Sequence, residues 1–190
     1  MGDVSAPAAY LIAGIPGAGK TTVSRLLAEQ FPRGAHIEAD KLQEMIVSGG
    51  LWPDQEPRTE AMRQLELKAR GAAALADGMV SAGIVPVIDD VIVGRARVAT
   101  YLEALHARPL HLVFLAPPLE VALRRDRERG YKSVGDHWAH LDAELRAKLS
   151  GYGVWIDSGE LTPEETMHEI LARTAGTAGI APLPPASEAL

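Results

Sequence analysis

Residues Gly14–Thr21 read GIPGAGKT, and the expected fold follows from them. The stretch satisfies G-x-x-x-x-G-K-[ST] at every specified position. Before it, Tyr10–Gly14 (YLIAG) is a short apolar run ending in glycine, the pattern of a buried strand. After it, Lys20–Gln30 places Val23, Leu26 and Leu27 on one helical face. A glycine-rich turn between a strand and a helix makes a cradle for anions. Glycine tolerates φ > 0, successive N–H groups converge, and the helix presents its positive end. The residues expected to hold a nucleotide are Gly14, Ile15, Pro16, Gly17, Ala18, Gly19, Lys20, Thr21 and Thr22. Among them, Lys20 is expected at the β- and γ-phosphates and the Thr21 hydroxyl on Mg²⁺, so the implied cofactors are ATP and Mg²⁺.

Working outward, strand and helix patterns alternate. Short apolar runs at Ala35–Ala39, Ile84–Ile88, Leu110–Leu115 and Val154–Asp157 predict four more strands. Helices are expected over Lys41–Val47, Thr59–Ala82, Arg95–Ala107, Pro118–Arg129, His137–Leu149 and Thr162–Arg173. In the last of these, Thr162 is placed as N-cap, Pro163 at N1, and Glu165 completes a capping box. Continuous rather than alternating apolar strands belong to a parallel sheet covered on both faces. The expected fold class is therefore α/β, a P-loop NTPase with a five-stranded parallel sheet and helices on both faces, nucleotide-kinase-like, with an Arg-rich lid. Residues 1–174 are expected to form one domain. Residues 175–190, rich in Ala, Gly and Pro without periodicity, are expected to be a disordered tail.

The bulk composition agrees with one compact domain. The chain has 190 residues, 47% of them hydrophobic and 23% charged, enough to bury a core. Its 19 Lys and Arg against 25 Asp and Glu, net −6, argue against a broad basic face for nucleic acid. There are no cysteines, so disulfides, thiolate metal sites and Cys nucleophiles are excluded. Met1–Ala9 lacks a basic region followed by a long apolar stretch, and no run of about eighteen apolar residues occurs. A cytoplasmic protein without membrane contact is expected, as a monomer or homodimer.

In parallel sheets, ligands bind at the C-terminal ends of the strands. Asp40, Asp89 and Asp90 fall there. Asp89 closes an apolar strand, the Walker B arrangement, and is expected to serve the metal, ahead of Asp90. Asp40 opens a helix and could act only as an N-cap, but its place suits a group that takes a proton from an attacking hydroxyl. Glu38 points the same way along the strand and is a weaker candidate. Arg124, Arg125, Arg127, Arg129 and Lys132 lie close together after the fourth strand. They are expected to form a lid over the triphosphate, with Arg124 and Arg127 sharing one helical face and Arg125 and Arg129 another. Arg124 and Arg127 are taken first as the catalytic pair, beside Asp40 and Lys20. Arg95 and Arg97 are surface or acceptor contacts. The six histidines show no metal-type spacing; His137 and His140 make a pair without a third ligand.

These features together resemble P-loop small-molecule kinases, closest to the chloramphenicol phosphotransferase-like family. The resemblance spans roughly Tyr10–Arg173. It is carried by GIPGAGKT, by Asp40 after the second strand, by IDDVIVG (Ile88–Gly94) and by the Arg-rich segment after the fourth strand. It implies an ATP-dependent O-phosphotransferase that moves the γ-phosphoryl group to a hydroxyl of a small molecule, an antibiotic among the candidates. In that family the residue matching Asp40 is the general base. One alternative is a nucleoside or nucleotide kinase, which would need arginines for an acceptor phosphate, with Arg58, Arg63 and Arg95 as candidates. The other is a regulatory ATPase module, against whose GTPase form the lack of an N-K-x-D tetrapeptide argues.

Overall fold

The computed structural model describes residues 7–128 and 138–180. Five strands form one parallel sheet: β1 (Ala9–Ala13), β2 (Gly34–Glu38), β3 (Val85–Asp90), β4 (Leu110–Leu115) and β5 (Val154–Ile156). Their order across the sheet is β2-β3-β1-β4-β5. The expected α/β class and five-stranded parallel sheet are therefore present. Every residue of β1 and β4 is buried, as expected of central strands covered on both faces. The edge strands β2 and β5 are only partly buried.

The helices are α1 (Lys20–Glu29), α2 (Ala39–Glu44), α3 (Arg58–Ser81), α4 (Arg95–Ala104), α5 (Leu119–Glu128), α6 (His140–Leu149) and α7 (Pro163–Thr174). Helix α1 packs against α7 and the long α3 against α4 and α2, while α1 and α3 also lie on β3. Along α3, Ala61, Ala69, Ala72, Ala73 and Ala76 are fully buried, and their small side chains let 24 residues of helix lie close to its neighbours. The capping box of α7 is formed in both directions: Glu165 N donates to Thr162 Oγ1 at 3.1 Å and Thr162 N to Glu165 Oε2 at 2.8 Å.

Residues 175–180, assigned from the sequence to the tail, run beside the start of β4. Ile180 N donates to Leu110 O at 2.7 Å. Residues 181–190 lie outside the described residues. Among the described residues, no helix is long and apolar enough to cross a membrane.

Strand register brings the site together. Ile12 pairs with Asp89, Ala13 with Asp90, and Glu38 with Asp89. The turn at Gly14, the start of α2 at Ala39 and the β3 carboxylates thus emerge together at the C-terminal ends of the strands.

Candidate active site

Between β1 and α1 the chain folds into the cradle that its glycines permit. Gly17 has φ 79° and Gly19 φ 91°, both left-handed conformations that a Cβ disfavours. A Cβ on Gly17 would also lie 2.0 Å from the Ala122 carbonyl oxygen, so the loop's close approach to α5 requires glycine. Gly19 is the N-cap of α1, with no side-chain cap and no acidic residue in the first turn. The first-turn N–H groups therefore have neither a capping oxygen nor a nearby carboxylate competing with a bound anion. Lys20 Nζ folds back and donates to Ile15 O at 3.1 Å.

This loop forms one wall of a cavity of about 580 Å³ whose lining includes Lys20, Thr21, Glu38, Asp40, Asp89, Asp90, Arg125 and Ser158. The two adjacent aspartates have different surroundings. His36 Nε2 lies 2.8 Å from Asp89 Oδ2, across adjoining strands. Asp90 is engaged on the protein side. Its Oδ1 accepts from Lys68 Nζ at 2.6 Å and from Val91 N at 2.8 Å, and its Oδ2 accepts from the Tyr101 hydroxyl at 2.9 Å. Burial and then the neighbouring Asp90 charge hold the Tyr101 hydroxyl well above its ordinary pKa, so it remains a donor.

Lys68 was not singled out from the sequence. Its ammonium also donates to Asp40 Oδ1 at 3.2 Å, which joins α3 to the start of α2. Burial alone would lower its pKa, but the charges of Asp90 and Asp40 reverse this and raise it. A signal was present: Ala61, Gln64, Lys68, Ala72 and Ala76 recur at helical spacing, so the pattern placed a lysine on the buried stripe. His36 was also missed, because its partner is 53 residues away.

The loop after α2 is held by two buried glutamines. Gln64 Oε1 accepts from Leu51 N at 2.7 Å and from Gln43 Nε2 at 3.1 Å, while Gln64 Nε2 donates to Gly49 O at 2.9 Å. This clamp secures the helix that carries Asp40 to α3.

The arginine segment presents Arg125 to the cavity, and Arg124 and Arg127 are exposed outside its lining. The reason is the docking of α5. Ala122 and Asp126 are buried on the face of α5 that meets Gly17, and Arg125 lies one turn along from Ala122. Arg124 and Arg127 share the solvent face with Glu120 and Glu128. Arg125 Nη2 donates to Ser158 O at 2.9 Å and Gly159 O at 3.2 Å, so it spans the wall formed after β5. Arg129, Lys132 and His137 lie outside the described residues. Arg97 is turned away, donating to Leu65 O at 2.7 Å, and neither it nor Arg95 lines the cavity.

The sequence model of the family described as chloramphenicol phosphotransferase-like protein matches residues 9–175. The chain belongs to that family. It is accordingly a P-loop kinase, a phosphotransferase. No curated protein sequence matches it. Solved structures share the fold at low identity. A sugar kinase from Janibacter sp. matches at 20% identity, covering 92% of this chain and 99% of the other, with TM-score 0.67. The tunicamycin resistance protein of Deinococcus radiodurans matches at 22% identity over 94% and 100%, with TM-score 0.64. The Mycobacterium tuberculosis APS kinase, solved with AMPPNP and APS, matches at 15% identity over 87% and 96%, with TM-score 0.65.

The residues present fit a nucleoside triphosphate with a divalent cation. The loop supplies left-handed glycines and uncapped helix N–H groups for phosphate. The Thr21 hydroxyl and the Asp89 carboxylate line the same cavity and are hard oxygen donors. No group of three or more metal-type side chains occurs among the described residues. Mg²⁺ asks for no such group: it is ordinarily held by one or two protein oxygens, with phosphates and water completing its shell.

Proposed function

We propose that this protein transfers the γ-phosphoryl group of ATP to a hydroxyl group of a small molecule that carries no phosphate of its own. The observation that supports this reading above others is the meeting of Asp40 and the glycine loop in one cavity. Lys20 and the loop N–H groups hold the phosphates, and Thr21 and Asp89 hold the cation. Bound Mg²⁺ would neutralise charge on the phosphates and on the transferring group. Arg125 stands where the arginine segment reaches the cavity and stabilises the nucleotide there. The base lies toward Ser158–Leu161, whose residues Ser158 and Leu161 line the same space. Asp40 accepts the proton of the acceptor hydroxyl while its oxygen bonds to phosphorus and the bond from phosphorus to the departing ADP oxygen breaks.

The cavity favours a phosphate-free acceptor. Of its lysines and arginines among the described residues, Lys20 and Arg125 serve the nucleotide, and Lys41 is paired with Glu44 at 2.9 Å. Glu38, Asp40 and Glu44 give the wall an acidic character that repels an acceptor phosphate. The arginines considered for a nucleotide acceptor, Arg58, Arg63 and Arg95, do not line it.

The test is a panel of hydroxylated compounds, headed by chloramphenicol and including sugars, nucleosides and nucleoside monophosphates. Each is scored by ADP release and by the mass gain of one phosphoryl group. Phosphorylation of a neutral alcohol, lost in Asp40→Ala, is the expected result. Wild-type transfer by Asp40→Ala would refute the base assignment. Transfer confined to nucleoside monophosphates would refute the acceptor class.

A further inference from the structure

Lysine almost never sits fully buried without partners, because its ammonium loses hydration that only strong hydrogen bonds replace. The Lys68 side chain is 3% exposed and that of Asp90 is fully buried, whereas that of Asp40 is 43% exposed. The ammonium thus links a carboxylate deep in the fold to one at the cavity. On the inner side the arrangement is rigid: Asp90 is fixed by Val91 N and by the Tyr101 hydroxyl, itself fully buried on α4. On the outer side one donor reaches Asp40 Oδ1 at 3.2 Å. Nothing in the proposed reaction uses Lys68 directly, and it is not among the residues lining the cavity.

We propose that Lys68 is a positioning residue for phosphoryl transfer: anchored by Asp90 and Tyr101, it grips Asp40 Oδ1 and holds that carboxylate in one orientation toward the acceptor. This rests on the reading of Asp40 as the base. A short carboxylate on the first turn of a six-residue helix has rotameric freedom. A cation fixed from behind narrows that freedom through a directional, charge-assisted hydrogen bond. The inference also separates the two β3 aspartates. Asp90 belongs to the anchor of the base, which leaves Asp89 for the cation.

Removing Lys68 alone would strand the Asp90 charge in the core and threaten folding. The informative variant is therefore Lys68→Met/Asp90→Asn, compared with wild type, Asp40→Asn and the triple variant. ADP release from Mg·ATP is followed with water as acceptor, a reaction open to the enzyme whatever its preferred alcohol. ATP affinity is measured by calorimetry and folding by thermal melting. The expected result is a folded double variant with ATP affinity within about twofold of wild type and kcat lower by about tenfold or more, within reach of what a positioned general base supplies. The loss should vanish in the Asp40→Asn background, because Lys68 acts through Asp40. An equal loss in both backgrounds would overturn the role of Lys68 while leaving Asp40 as base. So would a folded double variant with wild-type kcat. Wild-type turnover by Asp40→Asn would instead remove the base and with it the function given to Lys68.

Discussion

His36 and Asp89 face each other across adjoining parallel strands, with the imidazole Nε2 2.8 Å from the carboxylate Oδ2. Both side chains are largely buried, at 13% and 8% exposure, so the pair fixes the orientation of Asp89 at the mouth of the cavity. Partners that orient a metal-binding carboxylate typically change metal affinity by about 10- to 100-fold when removed. With Asp89 proposed as a cation ligand, His36→Ala should raise the Mg²⁺ concentration for half-maximal ADP release by about tenfold. The check is a magnesium titration at fixed ATP. An unchanged midpoint in a folded variant would show that the imidazole serves the sheet alone.

The two left-handed glycines of the cradle should respond differently to one methyl group. In Gly17→Ala the new Cβ would meet the Ala122 carbonyl oxygen at 2.0 Å, with Asp126 Cβ at 3.1 Å, so strain and overpacking add. A loss of about 3 kcal/mol or more and abolished ATP binding are expected. At Gly19 the Cβ would meet no atom within 4 Å, leaving only the cost of φ 91°. About 1 kcal/mol follows, a drop in Tm of roughly 2–4 °C for a chain of this size. Melting curves of the two variants without nucleotide test the contrast, and equal losses would count against the packing argument.

Much of this arrangement was legible in the sequence, for reasons particular to each element. The strand Leu110–Leu115 is a central, fully buried run, and its bounds coincide with β4. β3 runs through Asp89 and Asp90, the pair expected to end the Ile84–Ile88 strand, and their backbones pair with Ile12, Ala13 and Glu38. Helix α6 begins at His140, three residues after its expected start. The glycine loop was readable because backbone conformation is written in residue type. Lys68 and His36 were less so, since a lysine or histidine acquires its role from partners that only packing supplies. The arginine segment offered two helical faces, and the seat of α5 on Gly17 turns the one with Arg125 to the cavity.

A carboxylate away from the cavity makes stability depend on acid. Asp77, on α3, accepts the backbone N–H groups of His106 and Ala107 at 2.9–3.1 Å and lies 2.9 Å from His106 Nδ1. Burial alone would raise its pKa, but the bonds from the His106 ring and from the two N–H groups outweigh this and lower it. The folded pKa therefore lies below the unfolded one. The stabilisation is complete above the unfolded value of about 4 and is lost as pH falls through the folded value. Asp77→Asn should cost about 2 kcal/mol at pH 7, the scale of hydrogen bonds to a charged group, and progressively less below about pH 4. Urea unfolding of both proteins at pH 7 and pH 3 measures this. A penalty unchanged at pH 3 would mean that the carboxylate charge contributes nothing.

The arginine segment gives the last contrast. Arg125 bridges to Ser158 O and Gly159 O and lines the cavity, so its guanidinium is already in place before a nucleotide arrives. A preplaced cation contributes to binding without the cost of ordering a long side chain. Truncating it also leaves two carbonyls of the cavity wall without their donor. Arg125→Ala should therefore weaken ATP binding by about tenfold, equivalent to about 1.4 kcal/mol. Arg124 and Arg127 are exposed beside Glu120 and Glu128, where charge pairs contribute little in water. Their single alanine variants should shift the Kd for ATP by less than about twofold, since surface pairs are worth about 0–1 kcal/mol. Calorimetry with a non-hydrolysable ATP analogue and Mg²⁺ resolves the three variants. Larger losses for Arg124 or Arg127 than for Arg125 would mean that the bound state turns the other face of α5 to the triphosphate.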